Sequence, residues 1–493
     1  MRRSFGRLAV LALLGAGCST RFAQTAEEGA SGGSAGTLGG TGGASETGGA
    51  GGTTGGTPLT CPDTLGARLT LTDVTVEDDI RYKRPAYDNF PADERIAFSV
   101  GPDGAAQVAW LDNALQRVHV TPLTQAGLRR DVDVVVAGSD LGGLVARDDG
   151  FALLTRRDDP GEPLADPAAR NAIAKAAVLV RVRNRSEVFA AALTGTAQLD
   201  PTLPAEQKRD CTGSPLASRL AFSNFRYGAY FVVHGCAGHP LASFYGDKLS
   251  YVDDDGNFSP GGWSWNCSIN EGLRLLPEDG PFTSLCISEG SPFRGLNLVI
   301  EGKPALLLSA EFSQSPGYSA AQFGSVVQMG DGSYVVGWLS RGVGATLRPA
   351  SDIAFMRLAR DYTPLTAPTW LAETANVAET NLHFAPYGSD RLLVAWDSID
   401  NPSCDEHTCF GTYSGTHFRL IDTAGKFLTP DEVLSAAPNS EDDIGKFPNG
   451  DLGWAFVPEE TRSYQNPLLT SAAGAPLVPA KRLLRVARLR YCP

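Results

Sequence analysis

The stretch Phe323-Gly-Ser-Val-Val-Gln-Met-Gly-Asp-Gly-Ser-Tyr-Val-Val-Gly-Trp338 sets the pattern that the chain repeats. Val326 and Val327 form a short β-prone run. Gly330-Asp331-Gly332 is a tight-turn signal, because Gly and Asp tolerate positive φ. Ser333 to Leu339 then alternates, placing Tyr334, Val336 and Trp338 on one face of a second strand. The unit reads as a β-hairpin. Copies turn at Asp103-Gly104, Asp149-Gly150, near Tyr227-Gly228, at Gly388-Ser389-Asp390 and at Asn449-Gly450. Counted from the last turn residue, Trp110, Trp338, Trp396 and Phe456 all fall six residues on, and Arg156 and His234 take that place in the two weaker copies. A bulky aromatic at a fixed offset from a turn predicts a repeated packing slot.

Between the hairpins run further short strands, so that each unit offers about four. These include Arg117–Thr121, Asp133–Ala137, Ala177–Val182, Val188–Leu193, Ile353–Leu358 and His417–Asp422. Leu296–Ile300, the turn Glu301-Gly302 and Ala305–Leu308 read as one more, degenerate unit. Helical periodicity is confined to Pro167–Lys175. Radially repeated four-stranded units predict an all-β fold, a β-propeller of seven blades, with six as the alternative. Arg68–Val76 stands alone before the first unit and Leu483–Tyr491 follows the last; together they are expected to complete the final blade and close the ring.

The chain has 493 residues and a formal charge of -13. Residues 58–493 have ordinary globular composition. The acidic balance argues against a nucleic-acid partner, since phosphate binding needs clustered Lys and Arg. Lys481, Arg482, Arg485, Arg488 and Arg490 alternate with apolar residues and read as the solvated side of a strand.

Residues 1–17 have the layout of an export signal: a basic start (Arg2, Arg3, Arg7), an apolar run from Leu8 to Leu14 too short to span a bilayer, then small residues. Gly15-Ala16-Gly17-Cys18 resembles the lipobox of bacterial lipoproteins. The resemblance implies a lipidated Cys18 as the first mature residue and, with Ser19 after it, an outer-membrane or cell-surface address reached through a lipid anchor. Residues 18–57 contain the Gly-rich tract Gly29–Thr57 and read as a flexible tether, with a root-mean-square reach of roughly 35 Å. Signal, tether and repeats together resemble propeller-like bacterial surface lipoproteins.

Eight further cysteines in an exported chain suggest disulfides. Proximity pairs Cys404 with Cys409, Cys267 with Cys286 and Cys211 with Cys236, leaving Cys61 and Cys492 at the two ends of the folded region, although sequence does not fix connectivity.

Candidate chemistry is sparse. Asp253, Asp255 and Asn257 have the alternating spacing of calcium loops, but an Asp-Gly hairpin turn accounts for the same residues. His234-Gly-Cys-Ala-Gly-His239 contains metal-ligand types, yet export favours an oxidised Cys236. Trp263 and Trp265, in a loop beside Cys267, form a possible ligand platform. Sialidase Asp boxes, a Gly-x-Ser-x-Gly elbow and a His-Glu-x-x-His helix are all missing. The reading is therefore a binding or assembly module for an envelope protein or glycan. A glycan-active hydrolase or a structural envelope protein are the alternatives. Two or three carboxylates gathered with an arginine or histidine at the wide end of the central channel would favour the enzyme.

Overall fold

The computed structural model describes residues 61–493, apart from 83–93, 113–116, 124–132, 159–174, 196–211, 235–244, 266–268, 277–281, 289–294, 301–302, 310–321, 343–347, 372–373, 375, 405–408, 459–462 and 465–480. The chain divides into two units, Met1–Leu59 and Thr60–Pro493, and everything described belongs to the second.

The second unit is a seven-bladed β-propeller. A short helix, α1 (Leu65–Arg68), leads into β1 (Leu69–Arg81). Blade 1 is β2 to β5 (Ala97–Val100, Ala106–Asp112, Arg117–Leu123, Val134–Ala137). Blade 2 is β6 to β9 (Leu141–Arg147, Gly150–Asp158, Lys175–Arg183, Ser186–Ala192). Blade 3 is β10 to β13 (Thr212–Ser223, Arg226–His234, Tyr245–Asp253, Phe258–Ser264). Blade 4 is β14 to β17 (Ile269–Leu276, Thr283–Ser288, Gly295–Ile300, Leu306–Ser309). Blade 5 is β18 to β21 (Gln322–Gln328, Tyr334–Ser340, Asp352–Leu358, Thr369–Trp370). Blade 6 is β22 to β25 (Val377–Pro386, Arg391–Cys404, Cys409–Asp422, Glu432–Val433). Blade 7 takes β26 (Gly445–Lys446), β27 (Leu452–Phe456) and β29 (Lys481–Leu489), while β28 (Ser463–Tyr464) pairs with β24 of blade 6.

The first strand of the chain closes the last blade. β1 runs antiparallel to β29, from Leu69 opposite Leu489 to Thr75 opposite Leu483. Asp73 lies directly opposite Arg485, which grips it with two bonds of 2.6 and 3.0 Å. The far end of β1 pairs with β3, so blades 7 and 1 share one sheet. The expected Cys61–Cys492 disulfide is present, with Cα atoms 5.8 Å apart, inside the ordinary range. Cys404 and Cys409 are joined across the tip of the β23–β24 hairpin. Cys286 is also disulfide-bonded; Cys267, Cys211, Cys236 and Cys18 lie outside the described residues.

The repeated slot exists. Trp110, Trp338, Trp396 and Phe456 are buried, and each packs towards the preceding blade: Trp110 with Phe447 and Val486, Trp338 with Leu285 and Leu298, Trp396 with Val335 and Phe355, Phe456 with Leu393 and Phe418. Each such burial stabilises by about 1.5–3 kcal/mol. The turn chemistry explains the common offset. Gly104, Gly332 and Gly450 have φ of 80°, 80° and 89°, which L side chains avoid. Asp103, Asp331 and Asn449 each accept, through Oδ1, the backbone N–H two residues on, at 2.9, 2.9 and 3.2 Å.

Two readings needed correction. Blades 2 and 3 turn on two residues, Asp148-Asp149 and Asn224-Phe225, and not near Tyr227-Gly228. The shorter turn shifts the strand phase by one, so Arg156 shares a face with Ala152 and Leu154, which pack towards blade 3. Towards the preceding blade these two units present Phe151 with Leu153, and Tyr227 with Phe231. The Leu296–Leu308 hairpin is the outer pair of blade 4; its inner pair is β14–β15. Ahead of β1, the strand expected at Arg68–Val76, stands the unforeseen short helix α1. Its first two N–H groups donate to Glu432 of blade 6, at 2.6 and 2.8 Å. Residues 167–174 of the helical-looking stretch lie outside the described residues.

The antiparallel path gives the ring two unlike ends. The hairpins that join first to second strands lie at one end. At the other, first strands begin and connections cross from blade to blade. First strands of successive blades pack on one another around the axis.

Candidate functional site

An arginine–carboxylate cluster sits on the axis at the connection end. Arg95, just before β2, reaches inward because the chain arrives there from blade 7. Its Nη1 donates to the carbonyl of Gly142 on β6 and its Nη2 to that of Ser218 on β10 at 2.7 Å. One guanidinium thus ties the first strands of blades 1, 2 and 3. Arg219, beside a register shift in β10, donates through Nη1 to the same Ser218 carbonyl at 2.7 Å. Both arginines are buried, at 2% and 4% exposure.

The carboxylates come from the connection between blades 6 and 7. That segment is held by Trp454 Nε1 on the carbonyl of Ala436 (2.7 Å), Asn381 Nδ2 on that of Pro438 (3.1 Å) and Asn439 Nδ2 on that of Glu94 (2.9 Å). It then presents Glu441, Asp442 and Asp443 in succession. Glu441 lies 3.8 Å from Arg95 Nη2, and Asp443 accepts from Arg219 Nε at 3.1 Å. Asp442, half-buried, accepts the Phe98 N–H at 2.7 Å. Burial pushes its carboxyl up to about 7, against the pull of Arg95. Burial, with the charge of Arg219 beside it, holds Arg95 down at about 10. Two guanidinium nitrogens of the cluster, Arg95 Nε and Arg219 Nη2, are buried without a hydrogen-bond partner among the described residues. Such donors cost about 1–3 kcal/mol each when left unpaired.

A second acidic pair lies at the same end, between blades 5 and 6. Glu379 on β22 accepts from Thr374 Oγ1 at 2.6 Å, and Asp352 on β20 is paired with Arg348. Arg348 stacks on Trp370, 3.8 Å from the ring centroid. Burial pushes Glu379 up to about 8, and the neighbouring Asp352 charge adds to the shift. Both carboxyls are closed off from solvent, at 2% and 3% exposure, so this pair belongs to the seam and not to the channel.

The residues singled out in sequence lie elsewhere. Asp253 caps its own turn: Oδ1 accepts from the N–H groups of Asp255 and Asn257 at 3.0 and 2.8 Å, and Oδ2 from Asn257 Nδ2 at 3.1 Å. Among the described residues no group of three or more His, Cys, Asp or Glu converges as a metal site. Trp263 is in strand β13 and not in a loop; its Nε1 donates to Asp247 at 3.3 Å and its ring meets Tyr230 edge-on. Trp265 covers Gly246, where a Cβ would meet the indole at 2.4 Å. Both indoles are half-buried, Trp263 on the outer strand of blade 3 and Trp265 in the bend just after it. His234 ends β11, and residues 235–239 lie outside the described ones. Sequence reading missed the axial cluster. Its one visible signal was the run Glu441-Asp442-Asp443, as dense as the Asp253–Asp255 run.

No protein-family model matches the chain. No curated protein matches its sequence. Solved structures with a similar fold include hydrazine synthase of Kuenenia stuttgartiensis, at 9% identity and a TM-score of 0.42, covering 79% of this chain and 94% of that one. An α-L-arabinanase of Penicillium chrysogenum, complexed with arabinobiose, matches at 9% identity and 0.36, over 84% and 98%. A sialidase of Trypanosoma rangeli matches at 13% and 0.37, over 67% and 58%. Likeness this low says nothing of activity.

Proposed function

We propose that the propeller is the binding module of a lipid-anchored envelope or cell-surface protein, and that it takes a glycan at the axial arginine–carboxylate cluster. The observation that carries the reading is the convergence of Arg95, Arg219, Glu441, Asp442 and Asp443 from blades 1 and 3 and the connection between blades 6 and 7. Guanidinium donors and carboxylate acceptors lie there within hydrogen-bond or ion-pair distance of one another, the groups that a polyhydroxylated ligand would engage. Cys18 supplies the anchor and the Gly-rich segment the reach. Replacing Cys18 by Ser should release the protein from the membrane fraction; persistence there would remove the anchor from the reading.

A hydrolytic reading is favoured by Asp442, whose carboxyl at about 7 is poised to donate a proton near neutral pH. Gathered carboxylates with arginines are also what an enzyme would need. Glycoside hydrolysis, however, uses two carboxyl groups in complementary roles, and Glu441 and Asp443 are each committed to an arginine. Glycan-array binding by the full chain, with Arg219→Lys alongside, tests the first reading. An array signal that Arg219→Lys leaves intact would move the site away from the axis. Turnover of an array hit, abolished in Asp442→Asn, would replace binding with hydrolysis.

A further inference from the structure

The hydrogen bonds around Arg219 are incomplete in a specific way. The Nε–Nη2 edge of a guanidinium is a two-toothed fork whose best partner is a carboxylate, one oxygen to each tooth. Asp443 fills only the Nε tooth, at 3.1 Å; Nη2 has no partner among the described residues, and Nη1 is spent on the Ser218 carbonyl. Arg219 is fixed and buried, at 4% exposure, whereas the Asp443 side chain is half open to solvent, at 51%. The partner with access to water is therefore the carboxylate. It stays solvated if it swings outward, and Arg219 then needs another anion in its place.

We propose that Asp443 is an internal stand-in for the ligand, and that the axial site takes a carboxylate-bearing glycan, such as one containing uronic acid. The ligand's carboxylate displaces Asp443 and seats on both teeth of the Arg219 fork. This deepens the axial-site reading above and rests on it. Charge selects for the acid. Arg95 and Arg219 are balanced by Glu441 and Asp443, so exchanging one carboxylate for another keeps the buried guanidinium paired. A neutral ligand that displaced Asp443 would strand that guanidinium, which is strongly unfavourable. A ligand without the acid therefore leaves Asp443 in place and gains nothing from the fork.

The test is calorimetric titration of the full chain with glucuronate and tetragalacturonate, against glucose and the methyl ester of tetragalacturonate. The acids should bind at least about tenfold more tightly than their neutral counterparts, the factor expected from charge-assisted bonds. Asp443→Asn should tighten acid binding by roughly three- to tenfold, because the competitor for the fork is gone. Arg219→Lys should weaken it by about tenfold or more, since an ammonium has no fork. Thermal melts of each variant check that it is folded. Equal binding of acid and ester, both lost in Arg219→Lys, would overturn the carboxylate selectivity while leaving the axial site standing. Weaker acid binding in Asp443→Asn would make Asp443 a ligand contact and end the stand-in. Binding indifferent to Arg219→Lys would sink the axial site itself. Failure of both acids to bind Asp443→Asn, whose fork is open, would also overturn the inference.

Discussion

Two charge clusters, one at each end of the ring, are built from the same residue types and behave in opposite ways. At the hairpin end, Arg181 is fully buried between blades 2 and 3. Its Nε donates to Asp254 at 2.9 Å, its Nη2 to Asp149, and its Nη1 to the carbonyls of Phe151 and Val182 at 3.2 and 2.6 Å. Arg183 takes the remaining oxygens of Asp149 and Asp254, at 2.7 and 3.1 Å, and Tyr227 adds a hydroxyl to Asp254 at 2.7 Å. Burial disfavours both carboxylates there, but the Tyr227 hydroxyl on Asp254 and the arginines outweigh it and hold Asp149 and Asp254 below the usual range. On the axis, burial wins instead and Asp442 is raised. The first cluster is saturated and mortars two blades together. The second has donors to spare, which a purely structural cluster would not retain at this cost.

The largest effect should come from breaking the saturated cluster. Arg181→Ala removes a fully buried guanidinium and leaves Asp149 and Asp254 with only the more exposed Arg183 between them, and a loss of about 3 kcal/mol is expected in chemical denaturation. Arg219→Ala removes a guanidinium that was only partly paired and frees an exposed carboxylate, so its cost should be clearly smaller, about 1–2 kcal/mol. Equal losses would erase the distinction between the ends.

The two disulfides extend the comparison. Cys61–Cys492, at the hairpin end, spans 431 residues, and Cys404–Cys409, at the connection end, spans 5. On chain entropy the long closure is worth up to roughly 6 kcal/mol and the short one about 2 kcal/mol. Cys61→Ser with Cys492→Ser should therefore lower the denaturation midpoint more than Cys404→Ser with Cys409→Ser. The reverse order would mean that β1 holds the ring shut without the covalent link.

How far the chain could be read depended on distance along it. The slot aromatics were legible because the Asp-Gly turn and the alternation after it lie within a few consecutive residues. Closure was legible too: Arg68–Val76 and Leu483–Tyr491 lacked partners of their own, and each had a cysteine beside it. Reading failed where a turn changed length. Asn224 and Phe225 adopt φ of 53° and 62°, a two-residue turn that no glycine announces, so the phase of blade 3 was misjudged. The axial cluster was illegible for another reason. Arg219 and Asp443 are 224 residues apart, and only closure of the ring brings them together. Nothing in the local pattern around Arg95 or Arg219 distinguishes them from a solvated arginine on a strand.

The smallest effect, and the most selective, is in the pH dependence of stability. Asp442 is raised in the folded protein from 3.8 to about 7, so the stability linked to it is whole below about pH 4 and is lost as pH climbs through 7. Asp149 and Asp254 are lowered, so theirs is present above about pH 4 and is lost as pH falls further. The two ends should therefore pull the curve in opposite directions. Asp442→Asn cannot ionise, and it should flatten the decline between pH 4 and 7. Its advantage over the parent should grow across that window to something on the order of 1 kcal/mol, discounted because the group keeps some contact with solvent. Glu379, raised to about 8, prolongs the decline beyond neutrality, and Glu379→Gln should separate its share. Asp254→Asn should leave the neutral limb alone and remove part of the acid one. Denaturation midpoints at pH 4, 5.5, 7 and 8 decide it. A gap between parent and Asp442→Asn that stays constant over this range would mean that the axial carboxyl ionises like any surface aspartate, and the contrast between the two ends would then rest on the unpaired arginine donors alone.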